Sequence, residues 1–249
     1  MIKTLLICAI LSSIIGDILS FIIYHLCKIY SKDDSETYNF HLTKKLFKEY
    51  IDYIFSQLKH NKKSFLIYYL SIYVFVLLFT FSMIINYGIT AKAFFALTLC
   101  YSLICLTYVD IKTQYLPDII TKPLIFIGLI QGYFGLFTNF KESIIGALVG
   151  YLILWTINTI FKLIRKIDGM GYGDFKLLSA LGAWVGYIYL PLIIILSSII
   201  GIIVAILLSR ISKESMLSPS PFGPSLAIAG IVSLIWGHNI VNWYLTLSF

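Results

Sequence analysis

Apolar stretches separated by short polar segments extend over most of the chain. A helix that crosses a bilayer needs about 20 apolar residues. Eight segments come near that length, at roughly residues 4–26, 65–86, 92–108, 120–138, 143–162, 173–189, 190–209 and 223–245. Transmembrane strands require residues that alternate between polar and apolar, and these segments show no such alternation. The pattern therefore predicts an all-α integral membrane protein with about eight transmembrane helices.

The composition agrees with this pattern. Of the 249 residues, 59% are hydrophobic and 12% are charged, and the mean hydropathy is +0.90. Soluble domains carry about 25% charged residues. The first apolar stretch could be a cleaved signal peptide, but it is about as long as a full span and no A-x-A site follows it. We therefore expect it to remain as a helix.

The basic residues are distributed unevenly between the loops, and this fixes an orientation. Lys and Arg gather in cytoplasmic loops of membrane proteins, so the net charge of +7 does not indicate a nucleic-acid partner. Only Lys3, Lys92 and Lys141 fall at the first terminus or in the even-numbered loops. The other 16 of the 19 lie in the odd-numbered loops. Both termini are predicted outside, with the odd-numbered loops in the cytoplasm.

Two parts of the chain differ in composition. Residues 1–64 combine the first span with a long basic loop, and residues 65–249 form the predicted transmembrane core. Within the loop, apolar residues recur at every fourth position from Leu42 to Leu58. This spacing predicts an amphipathic helix. We expect its lysines to contact anionic lipid head groups, and a partner protein is the alternative.

Candidate chemistry begins with the segment GMGYGDFK at residues 169–176. An acid at the mouth of a membrane helix is costly and is a functional candidate by default. Gly171 and Gly173 would let another backbone come close to Asp174. The predicted topology also places Asp110, at the end of the third span, on the same cytoplasmic side and at similar depth.

Two carboxylates that face each other across a water molecule can hydrolyse a peptide bond. They share a proton because both cannot ionise cheaply. The ionised member takes a proton from water, and the neutral member donates a hydrogen bond to the scissile carbonyl. The alternative is that Asp110 and Asp174 only cap helices. The residues alone leave these two interpretations even.

Further polar and glycine residues have two interpretations each. Pro117 and Pro123 are predicted to break a helix, and Asp118 to turn or cap the next one with help from Thr121. Asp17, in the first span, could be a third active carboxylate. A structural acid bonded to a neighbouring helix is the favoured interpretation of Asp17.

The segment PFGPS at 221–225 could line a substrate cleft or could be an ordinary helix start. Gly182 and Gly186 form a G-x-x-x-G pair, which predicts close helix packing. The four cysteines form no C-x-x-C pair and the four histidines are scattered, so neither zinc nor another metal is expected.

Three segments resemble the motifs of the type IV prepilin peptidases, bacterial inner-membrane aspartyl proteases of the G-x-G-D class. They are GMGYGDFKLLSALGAWVG at 169–186, VDIKTQYLPDIITKPL at 109–124 and PFGPSLAIAG at 221–230. The resemblance implies that Asp110 and Asp174 are the catalytic aspartates. Motif residues that support them would be Gly171, Gly173, Pro117 and Asp118.

The resemblance also implies a substrate and a location. Members of this family remove the leader of type IV prepilins and pseudopilins at the cytoplasmic face of the inner membrane, which makes the outside of our topology the periplasm. Many then methylate the new N-terminus with S-adenosylmethionine, whereas the peptidase reaction needs no cofactor. The Cys-rich, zinc-stabilised loop that many members carry is absent here, so methylation rests on the resemblance alone.

Two other functions remain as alternatives. The first is a peptidase of the same class that acts on preflagellin-like or other leader-bearing proteins. The second is a small proton-coupled membrane transporter with Asp17, Asp110 and Asp174 as relay acids. The absence of paired discontinuous helices in matching halves of the sequence counts against a transporter. The sequence does not indicate an oligomeric state.

Overall fold

A computed structural model describes residues 2–30, 62–167, 169–212 and 221–248. These ranges contain eight α-helices and no strand, which confirms the all-α prediction. Each helix overlaps one of the eight predicted segments, and a short 3-10 turn lies at Tyr187–Tyr189. The helices are α1 Ile2–Tyr30, α2 Lys62–Tyr87, α3 Ala91–Thr113, α4 Asp118–Tyr133, α5 Phe140–Arg165, α6 Tyr172–Val185, α7 Leu190–Ser212 and α8 Gly223–Ser248.

Among the described residues, five segments are long and apolar enough to cross a membrane. They are Ile67–Tyr87, Ala91–Thr113, Phe140–Arg165, Tyr187–Leu207 and Gly223–Thr246. The chain is therefore an integral membrane protein. Helix α6 has 14 residues, and at 1.5 Å per residue it is only about 21 Å long, shorter than a bilayer core of about 30 Å. The orientation of the termini stays a prediction.

The chain forms two compact units, Met1–Ala93 and Phe94–Phe249. In the first unit, the Ser12 hydroxyl of α1 donates to Thr80 Oγ1 of α2 at 3.2 Å. About two turns earlier in α2, the Tyr73 hydroxyl donates to the carboxylate of Asp17. Gly16 makes room for this ring, because a Cβ atom there would lie 2.7 Å from Tyr73 Cε1. The contact fits the interpretation of Asp17 as a structural acid bonded to a neighbouring helix.

Two predictions about the N-terminal part stay untested. The expected amphipathic helix around residues 42–58 lies outside the described residues, as does most of the basic loop. The predicted division of the chain after residue 64 also stays a prediction.

Helix α6 is the centre of the second unit. It packs against α4, α5 and α8, and Lys176 is the one residue between Asp174 and Val185 that is not buried. Phe175 and Trp184 are among the largest side chains with no exposed surface. Small residues such as Ser179, Ala180, Gly182 and Ala183 let neighbouring helices approach α6 closely, as they do at helix interfaces in membranes. They therefore explain how α6 can occupy the central position.

Glycines allow α5 and α6 to pack backbone against backbone. A Cβ atom placed on Gly182 would lie 2.1 Å from the carbonyl oxygen of Gly146. The close packing predicted at Gly182 is therefore present, with Gly146 of α5 as its partner. Gly186 takes part in the same packing, because a Cβ atom on Gly146 would lie 3.0 Å from the Gly186 carbonyl carbon. Gly186 has a second role as well. It ends α6 with a φ of +88°, a conformation that other residues rarely adopt.

We expect Gly182→Ala to destabilise the protein by about 2 kcal/mol or more, because the added methyl meets backbone that cannot rotate away. Thermal unfolding in detergent measures this. Gly201→Ala is the matched control, since its methyl would come no closer than 3.4 Å to Phe222. It should leave the melting temperature unchanged or raise it slightly. Equal melting temperatures for the two variants would contradict the close contact.

Buried polar side chains satisfy the carbonyl groups at the end of α6, which have no partner within the helix. The amide nitrogen of Gln131 donates to the carbonyl oxygens of Ala183 and Trp184, both at 3.1 Å. The Ser143 hydroxyl also donates to the Ala183 carbonyl, at 2.6 Å. These bonds fix α6 between α4 and α5.

The start of α4 corrects two predictions. Pro117 ends the preceding loop as predicted, but Pro123 lies inside the helix and does not break it. Pro123 is the sixth residue of α4, beyond the first turn, so it removes the backbone bond to the Ile119 carbonyl while the helix continues. Asp118 is not the cap: Pro117 holds that position, and no side chain caps the helix. The Thr121 hydroxyl instead donates back to the Pro117 carbonyl at 3.2 Å.

Candidate active site

Asp110 and Asp174 line the same cavity, which has a volume of about 730 Å³. Both carboxylates are largely buried, with 4% and 9% of each residue exposed. Both also line a smaller neighbouring cavity of about 190 Å³. The two candidate residues that the sequence singled out, 64 positions apart in the chain, therefore meet at one site.

The ends of two helices position these carboxylates. Asp110 lies in the last turn of α3, and its carbonyl oxygen accepts from the Gln114 amide at 2.8 Å. Gln114 has a positive φ of 51°, so the chain turns away there toward α4. Asp174 lies in the first turn of α6. A carboxylate at a helix N-terminus faces the positive end of the helix dipole, which stabilises negative charge.

The last helix holds Asp110 directly. The Gly223 amide donates to Asp110 Oδ2 at 2.9 Å. Gly223 is the first residue of α8, so its N–H group has no partner within the helix. The segment PFGPS was interpreted as a cleft lining or as an ordinary helix start, and both descriptions fit. Gly223 starts the helix, while Pro221 and Phe222 line the cavity. The sequence analysis did not find the bond between this segment and Asp110.

The two motif glycines have different surroundings. Gly171 is exposed on the cavity wall, and a Cβ atom there would meet nothing closer than Asp174 Oδ2, at 3.7 Å. This leaves room for a substrate backbone, as the sequence predicts. Gly173 packs against the loop after α3, because a Cβ atom there would lie 2.7 Å from Leu116 Cβ. The second glycine therefore lets α6 approach that loop.

Pro117 and Asp118 lie beside the carboxylate pair rather than between its members. Pro117 is buried at the start of α4. Asp118 lines the smaller cavity and forms ion pairs with Lys122 at 2.8 Å and with Lys176 of α6. The hydrogen bond from Lys122, together with that from Lys176, keeps the pKa of Asp118 below its ordinary value. Asp118 thus joins the start of α4 to the first turn of α6.

Asn158 is a site residue that sequence reasoning missed. It is 6% exposed on α5, and its Oδ1 accepts from the amides of Gly169 at 2.9 Å and Met170 at 3.1 Å. Gly169 and Met170 both line the larger cavity. The available signal was a single amide side chain in the apolar run of α5, where polar groups are costly and commonly functional.

One side of α7 completes the larger cavity. Small or apolar side chains recur there at helical spacing, from Ser198 through Gly201 and Ile202 to Ala205. They place an apolar surface next to two carboxylates. The described residues contain no group of three His, Cys, Asp or Glu side chains that could hold a metal ion. Cys100 and Cys105 are buried.

Comparison with known proteins shows which protein family part of the chain resembles. Residues 97–206 match the Type IV leader peptidase family, and this range contains both aspartates and both motif glycines. Residues 97–206 are therefore similar to a type IV leader peptidase domain. The matched range of this domain also contains Asn158, whereas Phe222 and Gly223 lie beyond it.

Proteins named "Prepilin leader peptidase/N-methyltransferase" are similar to the chain. The protein from Pseudomonas aeruginosa is 44% identical over 163 residues, which cover 66% of this chain and 56% of that protein. The protein from Aeromonas hydrophila is 46% identical over 151 residues, covering 61% and 52%. The chain therefore matches little more than half the length of these relatives. No solved structure matches the chain.

Proposed function

We propose that the protein is a membrane aspartic endopeptidase that removes the leader peptide of type IV prepilins and pseudopilins. The observation that carries this proposal is the meeting of Asp110 and Asp174, both within the range that matches the leader peptidase family, on one cavity. The printed names of the similar proteins support the choice of substrate.

In the reaction, a water molecule bound between Asp110 and Asp174 attacks the scissile carbonyl carbon. The ionised carboxylate takes a proton from this water, while the protonated one donates to the carbonyl oxygen. The tetrahedral intermediate then breaks its C–N bond, and the leaving nitrogen takes up a proton. The two carboxylates exchange roles as acid and base, so the pair needs no metal and no covalent intermediate.

The proposed location is the bacterial inner membrane, with the active site at the cytoplasmic face and both termini in the periplasm. The basic residues near the carboxylates support this orientation, because Lys112 follows Asp110 and Lys176 follows Asp174. The lipid bilayer and the prepilins are the expected partners. Neither the charge pattern nor the site favours a nucleic acid.

N-methylation of the new N-terminus is the second reaction that we propose, with S-adenosylmethionine as the methyl donor. The names of the relatives support it. The larger cavity is used by the peptidase reaction, and we assign no residue of this chain to the methyl donor.

One experiment tests both reactions. The purified full chain in detergent is incubated with a type IV prepilin and S-adenosylmethionine, and the product mass is read. We expect the mass to fall by that of the leader, and methylation would add the mass of one methyl group. An intact prepilin would contradict the proposal. Cleavage of preflagellin-like substrates alone would favour the related peptidase, and pH-dependent ion flux in liposomes without cleavage would favour a transporter.

A further inference from the structure

The backbone of residues 169–171 forms part of the wall of the larger cavity, three residues before Asp174. This short segment belongs to no helix. A loop that borders a catalytic pair has to be held in place, because an error of about 1 Å in a reacting geometry can cost about a hundredfold in rate. The contacts that hold this segment come from the last two turns of α5.

Asn158 supplies two of these contacts through a single oxygen. Its Oδ1 accepts from the successive amides of Gly169 and Met170. A buried amide side chain is costly in apolar surroundings unless it is hydrogen-bonded. One turn along α5, the Phe161 ring lies so close that a Cβ atom on Gly169 would be 2.6 Å from its Cδ1. The segment is thus fixed at Gly169 and Met170, while Gly171 stays open to the cavity.

We propose that Asn158 is a positioning residue that holds the Gly169–Gly171 backbone as the wall along which an extended segment of the substrate binds. An extended peptide binds through main-chain hydrogen bonds to an exposed backbone edge. Gly171 provides such an edge without a side chain to obstruct it. The inference rests on the proposed function and adds the conformation in which the scissile segment meets Asp110 and Asp174.

Two substitutions of Asn158 separate this role from simple stabilisation. Asn158→Leu has a similar size but no acceptor, so the amides of Gly169 and Met170 lose their partner. Asn158→Asp keeps an oxygen in the same place that accepts both bonds. With both bonds lost, the wall segment is no longer held in place, so we expect Asn158→Leu to raise KM for a prepilin by roughly tenfold or more. The KM of Asn158→Asp should stay within about twofold of the native value.

Thr159→Val is the matched control on the neighbouring residue. It also removes a polar group from α5, but the Thr159 hydroxyl bonds only within its own helix, to the Trp155 carbonyl at 2.7 Å. We expect native KM and kcat for this variant. A native KM in Asn158→Leu would overturn the inference, and so would equal losses in Asn158→Leu and Asn158→Asp.

Asn158→Gln provides a second test of the inference if Asn158→Leu does not fold. It keeps a polar amide but moves the acceptor oxygen by one methylene, so KM should rise at a melting temperature near the native one. A native KM for Asn158→Gln would overturn the inference. Failure of the proposed function is recognised separately, because the native protein itself would then leave the prepilin intact.

Discussion

Asp110→Asn and Asp174→Asn should each reduce leader cleavage by at least about a thousandfold, while the protein stays folded. Asparagine has nearly the shape of aspartate but cannot take up or release the proton. General acid–base catalysis by one group contributes about 10²–10⁴-fold, and this mechanism uses both groups in every turnover. Prepilin processing by the purified variants measures the loss, and thermal unfolding in the same detergent monitors the fold.

Asp17→Asn is the matched control for both variants. It makes the same change at another acid in an apolar helix, and the asparagine oxygen can still accept the bond from Tyr73. We expect native cleavage. Full activity in either Asp110→Asn or Asp174→Asn would refute the aspartic mechanism. Loss of cleavage in Asp17→Asn with an unchanged melting temperature would instead make Asp17 a third functional carboxylate.

The meeting of the two aspartates could be predicted because it depends on the number and direction of the membrane spans, and both can be read from the sequence. Apolar runs mark the spans, and the distribution of lysines and arginines marks their direction. Counting spans then places Asp110, near the end of its helix, and Asp174, near the start of its helix, on the same side of the membrane. Their common cavity agrees with that expectation. No knowledge of side-chain packing was needed for this step.

The contacts that hold the site could not be predicted in this way. The Gly223 amide and Asp110 are 113 residues apart, and their bond depends on the angle at which α8 meets α3. Asn158 is recognisable as an unusual residue in an apolar helix, but its partners are known only when the chain has folded back. Packing between helices determines both contacts, and helical periodicity contains no information about it.

Helix ends were the second source of error, because local rules have exceptions that depend on position. Pro123 was expected to break a helix, yet it lies inside α4 and removes only the bond to the Ile119 carbonyl. Asp118 looked like a cap, yet its carboxylate turns to Lys122 and Lys176. The exact helix boundary decided the first outcome, and a tertiary contact decided the second.

Gly223→Ala should reduce kcat by roughly a hundredfold and leave stability nearly unchanged. A Cβ atom on Gly223 would lie 2.6 Å from Asp110 Oδ2, so the carboxylate has to move away. Rotation of a short side chain into a neighbouring cavity costs the fold little. A displacement of about 1 Å at a reacting group, however, can cost about 10²-fold in rate. Prepilin cleavage kinetics and thermal unfolding, measured together, test both parts of this prediction.

Two further variants test whether Gly223→Ala acts through the position of Asp110. Ile228→Ala changes an exposed residue of the same helix and should retain native kcat and KM. Gly171→Ala adds a methyl group to the cavity wall, where no atom lies closer than 3.7 Å, so it should obstruct the substrate and raise KM more than it lowers kcat. If Gly223→Ala keeps the native kcat, the bond from α8 does not set the position of Asp110. If it loses kcat and melting temperature together, disruption of the α8 start explains the loss instead.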